Sequence, residues 1–360
     1  MAAHTQATQA STWLFPLAAL ALYGLAAGGV LAPAVVGIVL LPVLFGAVFA
    51  AVHHAEVIGA RVGEPFGTLV LSLAVTAIEV ALIASVMLGD TPKPALARDT
   101  VFAVVMIVAN GVVGGCILIG GLKHGEQGFR VTGASAYLMV LIALSVMTLV
   151  MPNYTETAVG PVYSTAQLAF VSAATLALYA VFLYIQTIRH REHFLPLSQE
   201  GEEEHARPDG RQTAISAVVL VVALCGVILL SKPFASLAGL AVTYAGAPEA
   251  VIGVLVAMLV LLPELATALR AALADRLQQS INLALGSSLA TIGLTMPAVA
   301  ATSFVLGTPL VLGLSAKETT LLALSIVISM LTFGTGRTNI LAGFVHLVLF
   351  ATFVFLTVVP

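Results

Sequence analysis

Long apolar runs separated by short polar breaks dominate this 360-residue chain. A helix needs about 20 apolar residues to cross a bilayer. Eleven runs of that kind predict spans at 12–31, 34–60, 67–89, 99–121, 132–151, 164–188, 213–231, 248–272, 279–304, 316–334 and 339–359. The stretch 233–246 is predicted to be a short interfacial helix or loop. The pattern therefore predicts an all-α integral membrane protein with about 11 transmembrane helices.

A polar linker divides the last ten spans into two sets of five. The predicted segments are 1–33 with an extra N-terminal helix, a five-helix repeat at 34–188, an acidic cytoplasmic linker at 189–212, and a second five-helix repeat at 213–360. The linker, with its run of glutamates at 202–204, is interpreted as either a solvated loop or an ion-sensing or regulatory loop. Because five is odd, the second repeat enters the membrane in the opposite sense, which is typical of inverted-repeat transporters.

Composition supports a membrane protein and narrows the expected partners. Charged residues make up 9% of the chain and hydrophobic residues 60%, whereas a soluble domain carries about 25% charged residues. The net charge of -3 and the lack of a basic cluster in the sequence argue against nucleic acid as a partner. The sequence also lacks the usual motifs of hydrolases, nucleotide-driven pumps and redox enzymes, so neither enzymatic activity nor a cofactor is expected. The expected partners are inorganic cations, protons and the lipid bilayer.

Lysine and arginine are distributed unequally between the two ends of the predicted spans. Ten lie on the side of the N-terminus: Arg61, Lys123, Arg130, Arg189, Arg191, Arg207, Arg211, Arg270, Arg276 and Arg337. The other side holds Lys93, Arg98, Lys232 and Lys317. Since cytoplasmic loops are enriched in basic residues, the N-terminus is predicted to be cytoplasmic and the C-terminus periplasmic or extracellular.

Two glutamates lie well inside predicted spans. Each follows a G-x-P element: Glu79 comes 14 residues after Pro65, and Glu264 comes 16 residues after Pro248. A charged carboxylate in the bilayer core costs several kcal/mol unless it is paired or hydrated. The sequence places no lysine or arginine near the centre of a span, so structural ion pairing is disfavoured. A permanently protonated glutamate is the other structural alternative, and we favour binding of a metal cation and protons.

Neighbouring oxygen atoms support a cation site. Ser72 and Thr76 share a helix face with Glu79, because they precede it by seven and three residues. Pro263 has no N–H, so the carbonyl of Leu259 loses its helical partner beside Glu264, and Thr267 adds a hydroxyl one turn later. Carboxylate, carbonyl and hydroxyl oxygens are hard ligands that suit Na⁺ or Ca²⁺.

The ninth span and its counterpart in the first repeat carry further polar residues. Ser287, Ser288 and Thr291 are interpreted either as small residues for close helix packing or as ligands exposed by a helix that loosens at Gly286. Asn110 occupies the equivalent place in the fourth span.

Four more titratable residues lie in or near the predicted spans: Glu56, His53, His54 and His346. Glu56 is either a solvated helix end or a cytoplasmic-side relay for protons or cations. His53 and His54 are adjacent, so they are predicted to point about 100° apart and not to face one site together. His346 is predicted to have a packing role or a satisfied hydrogen bond.

Three blocks of sequence resemble a known family. They are GEPFGTLVLSLAVTAIEVALI, PELATALRAALADRLQQSINLALGSSLATIGLTMPAV and TGRTNILAGFVHLVLFATF. Together they resemble the bacterial calcium/proton and sodium–potassium/proton antiporter family of the cation/calcium exchanger superfamily. The resemblance implies a bacterial inner-membrane protein with two inverted five-helix repeats after an extra helix. It also implies central glutamates at Glu79 and Glu264, a cytoplasmic-side acid at Glu56, and a Gly-Ser-Ser element at 286–288.

The chain departs from the calcium/proton members of that superfamily. They carry G-N-x-x-E in both repeats, whereas this chain has V-T-A-I-E at 75–79 and V-L-L-P-E at 260–264. A His after the second glutamate is replaced by Leu265, and a Gln after Gly-Ser-Ser is replaced by Ala290. The expected function is export of Ca²⁺ and/or Na⁺ (K⁺) in exchange for H⁺, with the cation left open. The alternatives are a passive cation channel and a symporter of a small organic solute.

Overall fold

The computed structural model describes residues 2–63, 66–87, 93–195, 208–307 and 310–360. Within them the chain forms the helices α1 (Ala2–Ala27), α2 (Pro33–Val62), α3 (Phe66–Met87), α4 (Leu96–Met106), α5 (Val113–His124), α6 (Val131–Ser145), α7 (Thr165–Tyr184), α8 (Gly210–Tyr244), α9 (Ala250–Leu273), α10 (Leu277–Ala290), α11 (Met296–Leu306), α12 (Ala316–Phe333) and α13 (Ile340–Val358). Four π-helical segments lie at Ile107–Val112, Val146–Val150, Ile185–Arg189 and Thr291–Thr295. Two 3₁₀ turns (Met151–Tyr154 and Arg191–His193) and two short strands, β1 (Gln127–Gly128) and β2 (Arg337–Thr338), complete the described structure.

Ten helical stretches of the described residues are long and apolar enough to cross a membrane. They coincide with the second to eleventh predicted spans, and the first corresponds to the shorter apolar helix Thr12–Ala27. The prediction of an all-α membrane protein is confirmed. The prediction of a separate interfacial element at 233–246 is wrong, because α8 continues without a break to Tyr244 and contains Pro233. Phe234, Ala238 and Val242 follow one another at four-residue spacing and are buried, so the apolar face of the helix extends past the proline.

Unit 1 is a compact group of helices within Met1–Pro92 and Glu203–Ala245. It contains α1, α2, α3 and α8, with α2 and α8 packed against each other. Glycines let these helices approach closely, since a Cβ on Gly226 of α8 would lie 2.8 Å from the Cβ of Ala19. Hydrogen bonds add polar links, for example between the hydroxyls of Ser85 on α3 and Ser231 on α8.

Unit 2 comprises Lys93–Glu202 and Gly246–Pro360 and contains the remaining helices. One close helix crossing in this unit joins α5 and α13. A Cβ on Gly114 would lie 2.8 Å from the Cβ of His346, and one on Gly343 would lie 2.7 Å from the backbone nitrogen of Leu118. Small residues therefore bring the two backbones together, as is usual where helices pack in a membrane.

The loops of unit 2 show that the two halves of the chain run in opposite senses. Helices α2–α7 form the first half and α8–α13 the second. Strand β1, which follows the third span of the first half, pairs antiparallel with β2, which follows the fourth span of the second half. A second contact joins the other pair of loops. Leu312 and Gly313 follow the third span of the second half, and Pro161 follows the fourth span of the first half. The amides of Leu312 and Gly313 both donate at 3.0 Å to the carbonyl of Pro161.

This exchange of loops has one geometric explanation. Consecutive spans cross the bundle in opposite directions, so the loops after the third and fourth spans of one half lie at opposite ends. The third loop of each half meets the fourth loop of the other half at both ends of unit 2. The two halves are therefore inverted relative to each other, as the odd number of spans predicts.

Candidate functional site

Glu79 lies in the middle of α3 in unit 1 and is 1% exposed. One turn before it, Thr76 is 8% exposed, and Ser72 is half-buried on the same face. The flanking positions Ile78 and Leu82 are fully buried. The helix therefore holds a carboxylate and two hydroxyls along one face of an otherwise apolar segment, as the sequence predicts.

Glu264 lies in α9 in unit 2 and is 7% exposed. Pro263 remains inside a continuous helix, and the predicted carbonyl donor Leu259 is 1% exposed. The hydroxyl of Thr267 donates at 3.0 Å to the carbonyl of Pro263, so its proton is used within the helix. The carbonyl that loses its amide partner at the proline is thus enclosed by protein, where irregular backbone is tolerated in a membrane.

The third span of each half contains a π-helical segment. Ile107–Val112 separates α4 from α5 in the first half, and Thr291–Thr295 separates α10 from α11 in the second. The helix does not loosen at Gly286, as one interpretation of the sequence supposes, because that residue is regular α-helix. The irregularity lies further along, at Gly293, where a Cβ would come within 2.6 Å of the Cβ of Tyr179. Single-turn π segments inside helices are frequent at functional sites.

Three of the predicted supporting hydroxyls lack a hydrogen-bond partner among the described residues. They belong to Thr76, Ser287 and Ser288, the last with 0% exposure. Several hydroxyls in the spans instead donate to a backbone carbonyl three or four residues earlier, as at Ser145, Thr187, Thr302, Thr320 and Thr352. Orphan hydroxyls also occur at Thr100, Thr148 and Thr338 within the described ranges. A buried hydroxyl without a partner is costly and calls for an explanation such as an ion.

Within unit 2, the helix that carries Glu264 packs directly against the helix that carries the two serines. The hydroxyl of Ser280 on α10 donates at 2.7 Å to the carbonyl of Ala268 on α9. Thr291, the remaining predicted ligand of this region, is 1% exposed at the start of the π segment. Unit 2 therefore brings the second glutamate and the Gly-Ser-Ser element onto neighbouring helices, whereas Glu79, Ser72 and Thr76 belong to unit 1.

Asn110 is fully buried and takes part in a polar network that sequence reasoning does not reveal. Its Nδ2 donates to the Ser325 hydroxyl at 2.9 Å, and its Oδ1 lies 3.2 Å from Nδ1 of His346. The other ring nitrogen of His346 is 3.1 Å from the hydroxyl of Thr332. The expectation of a satisfied hydrogen bond at His346 is confirmed. The amide of Asn110 thus connects the π segment to α12 and α13.

Glu56 is exposed on α2, six residues before the helix ends. Near it, unit 1 has an open cavity of about 330 Å³. Its lining residues are Thr12, Trp13, His53, His54, Val57, Asp209, Arg211, Gln212, Ile215 and Ser216. The prediction that the two histidines cannot face one site is wrong, since both line this cavity and their ring centroids are 5.2 Å apart. His54 also makes a 3.1 Å hydrogen bond to Ser216. The predicted acidic run at 202–204 lies outside the described residues.

Comparison with known proteins identifies the family. The family model "Sodium/calcium exchanger protein" matches residues 32–188 and 215–359. The chain is 43% identical over 352 residues to "Putative ionic transporter y4hA" of Sinorhizobium fredii, which covers 97% of this chain and 96% of that protein. It is 37% identical over 346 residues to "Sodium-potassium/proton antiporter ChaA" of Escherichia coli, which covers 94% of each chain.

Solved structures support the same fold. Native YfkE superposes with a TM-score of 0.73 at 18% identity and covers 97% of this chain and 100% of its own. The H⁺/Ca²⁺ exchanger CAX gives a TM-score of 0.67 at 13% identity and covers 96% and 88% respectively. At these identities the likeness concerns the fold alone. The family model and the two relatives show that the chain belongs to the sodium/calcium exchanger family and is a multi-pass membrane antiporter of the cation-exchanger type.

Proposed function

We propose that the protein exports an alkali cation, Na⁺ or K⁺, in exchange for H⁺, and that Glu79 and Glu264 bind the cation and the proton alternately. The observation that carries the proposal is the matched pair of buried glutamates, one in the second span of each inverted half, at 1% and 7% exposure. A single structural carboxylate would not need a counterpart in the other half. Two inverted copies of the same position are what a site shared by both repeats at the membrane midplane requires.

The chemistry of exchange follows from the cost of burying charge. Two ionised carboxylates in an apolar environment are expensive, so the site must hold either two protons or one proton and a monovalent cation. The cation and the second proton bind the same oxygen atoms and therefore exclude each other. The empty, doubly charged site is too costly to reorient between the two sides of the membrane, whereas the loaded forms reorient readily. Obligatory coupling of cation and proton movement results from this difference.

Hydroxyl and carbonyl oxygens complete the proposed cation site. We assign this role to Thr76 and Ser72 on α3, to the carbonyl of Leu259, and to the serine hydroxyls at 287 and 288. The orphan state of Thr76, Ser287 and Ser288 supports the assignment, since each has lone pairs and a proton without a protein partner in the described part of the chain. Thr291 and Asn110 are proposed as outer ligands, and Glu56 as the cytoplasmic-side relay.

The choice of an alkali cation over Ca²⁺ rests on charge and on the missing amides. Ca²⁺ takes six to eight oxygen ligands, and the two G-N-x-x-E asparagines of the calcium/proton members are replaced here by Thr76 and Leu261. The name of the Escherichia coli relative, a sodium-potassium/proton antiporter, points the same way. With one carboxylate protonated and the other ionised, a single Na⁺ or K⁺ neutralises the site.

We place the protein in a bacterial inner membrane with a cytoplasmic N-terminus and a periplasmic C-terminus. The excess of lysine and arginine on the side of the N-terminus supports this orientation. Protons that enter from the periplasm would then drive cations out of the cytoplasm.

Proton flux in inside-out vesicles tests the proposal. The vesicles enclose an acidic lumen and a pH-sensitive dye, and NaCl, KCl, CaCl₂ or choline chloride is added outside. We expect alkalinisation of the lumen on addition of Na⁺ or K⁺ and none with choline. A response to Ca²⁺ alone would overturn the choice of cation, and cation uptake that does not move protons would overturn antiport in favour of a channel.

A further inference from the structure

A compact cluster of metal-ligating side chains lies in the turn that follows α7, outside the proposed transport site. Nδ1 of His190 and Nε2 of His193 lie 3.3 Å and 3.7 Å from the same carboxylate oxygen of Glu192. The two imidazole rings are stacked, with centroids 5.0 Å apart and planes 6° apart. All three ligand atoms lie within 4.8 Å of one another. One nitrogen of each ring therefore lies close to the same carboxylate oxygen of Glu192.

Backbone hydrogen bonds fix this turn before any ligand is present. The amide of His190 donates to the carbonyl of Ile185 at 2.9 Å, which closes the π segment at the end of the seventh helix. The amide of His193 then donates to the carbonyl of His190 at 3.0 Å, which closes the 3₁₀ turn. The three ligand side chains thus leave a backbone that is already folded, so binding would not need to order the backbone.

Side-chain packing anchors the far end of the same turn. The ring of Phe194 is 6% exposed and makes edge contacts with Tyr137 and Phe182. Its carbonyl accepts a 2.6 Å hydrogen bond from Nδ2 of Asn282 on α10. The turn is therefore held against α6, α7 and α10 within unit 2, and its histidines do not belong to a freely moving loop.

The spacing of the ligand atoms suits a small divalent metal. Two ligands at 2.0–2.1 Å around a tetrahedral Zn²⁺ are about 3.3 Å apart, close to the separations from each histidine to Glu192. Two imidazoles and one carboxylate are preferred by Zn²⁺, Co²⁺ and Ni²⁺, whereas Ca²⁺ and the alkali cations prefer oxygen alone.

We propose that His190, Glu192 and His193 bind one divalent transition-metal ion of the Zn²⁺ class, with water in the remaining coordination position. The three ligands belong to one turn, so the site does not depend on another protein chain. A metal bound here would cross-link a turn that contacts the helix carrying Ser287 and Ser288. The proposal does not depend on the transport function, since it concerns residues outside the membrane spans.

Spectroscopic titration of the purified, full-length, tag-free protein with Co²⁺ tests the site. We expect one equivalent of Co²⁺ to give the visible absorption bands of a low-symmetry four- or five-coordinate ion, and Zn²⁺ to displace it. Replacing both imidazoles, as in the His190→Ala/His193→Ala double variant, should weaken binding by tenfold or more, since even losing an outer partner of a metal ligand costs 10–100-fold. Millimolar Ca²⁺ or Na⁺ should not displace the metal.

A matched variant separates this site from other histidines of the chain. His124 is half-buried, lies 3.0 Å from the carbonyl of Leu273 and is not part of the cluster, so His124→Gln should bind Co²⁺ like the wild type. Zn²⁺ should also raise the unfolding temperature of the wild type and of His124→Gln, but not that of the double variant. Wild-type affinity in the double variant, an equal loss in His124→Gln, or displacement of Co²⁺ by Ca²⁺ would overturn the proposal.

Discussion

Removal of one orphan hydroxyl distinguishes an ion ligand from a packing residue. Ser288 on α10 and Ser145 on α6 are both 0% exposed, and each can be changed to alanine with the loss of a single oxygen atom. The hydroxyl of Ser145 donates to the carbonyl of Leu141 at 2.6 Å, whereas that of Ser288 lacks a partner among the described residues. The two substitutions are therefore matched in burial and chemistry and differ in what the hydroxyl bonds to.

The structure sets the sign and rough size of each effect. Ser145→Ala removes a made hydrogen bond and should lower the free energy of unfolding by about 1 kcal/mol. Ser288→Ala removes a buried polar group whose desolvation costs about 1–3 kcal/mol, so in cation-free buffer it should leave the protein unchanged or more stable. If Ser288 contacts the bound cation, its loss should weaken cation binding by about tenfold, which corresponds to roughly 1.4 kcal/mol.

Thermal unfolding in detergent, with Na⁺ or K⁺ varied at constant ionic strength, measures both quantities. The midpoint without cation reports on stability, and its rise with cation concentration reports on affinity. We expect Ser145→Ala to unfold at a lower temperature with the cation dependence of the wild type. Ser288→Ala should unfold at the same or a higher temperature and need about ten times more cation. Equal destabilisation of the two variants, with wild-type cation dependence in both, would contradict the role of Ser288 as a cation ligand.

Two further predictions concern the spans around the site. Gly293→Ala places a methyl group 2.6 Å from the Cβ of Tyr179 and should destabilise the protein by about 1–3 kcal/mol. The methyl group of Gly286→Ala meets its nearest atoms at 3.8 Å, so this variant should be as stable as the wild type. Thermal unfolding of both variants tests the prediction, and equal stability of the two would contradict close packing at Gly293. Thr332→Val removes the partner of a buried ring nitrogen of His346. The variant should lose about 1–3 kcal/mol of stability and keep the cation affinity of the wild type. Loss of affinity without loss of stability would contradict a structural role for the hydrogen bonds that join Thr332, His346 and Asn110.

The spans and the inversion could be predicted because they depend on local composition. An apolar run of about 20 residues is sufficient evidence for a spanning helix, and an odd number of spans per repeat fixes the opposite sense of the second repeat. The continuation of α8 through Pro233 could not be predicted, since Lys232 and the proline together resemble a helix end. The buried residues that follow, such as Phe234, continue the apolar face and only the folded chain shows this.

The two glutamates could also be found from the sequence, because an acid is conspicuous in an apolar run. The partners of Asn110 could not, since Ser325 and His346 are more than 200 residues away along the chain. The positions of the π segments could not be predicted from the local sequence either. They lie where one helix meets another, as at Gly293 against Tyr179, and tertiary packing decides their position. The predicted segment boundaries at 34–188, 189–212 and 213–360 stay a prediction.

Cation-driven proton movement by the glutamate variants is the most direct test of the paired site. Purified Glu79→Gln and Glu264→Gln proteins, reconstituted into liposomes, would be compared with wild type and with Glu249→Gln, whose side chain is 70% exposed and paired with Lys93. We predict that each midspan variant folds, as judged by its unfolding midpoint, and loses at least about 99% of the flux, because losing a single proton-binding group commonly costs 10²-fold or more. Glu249→Gln should transport normally. Wild-type coupled flux in either folded midspan variant would contradict a site built on both glutamates.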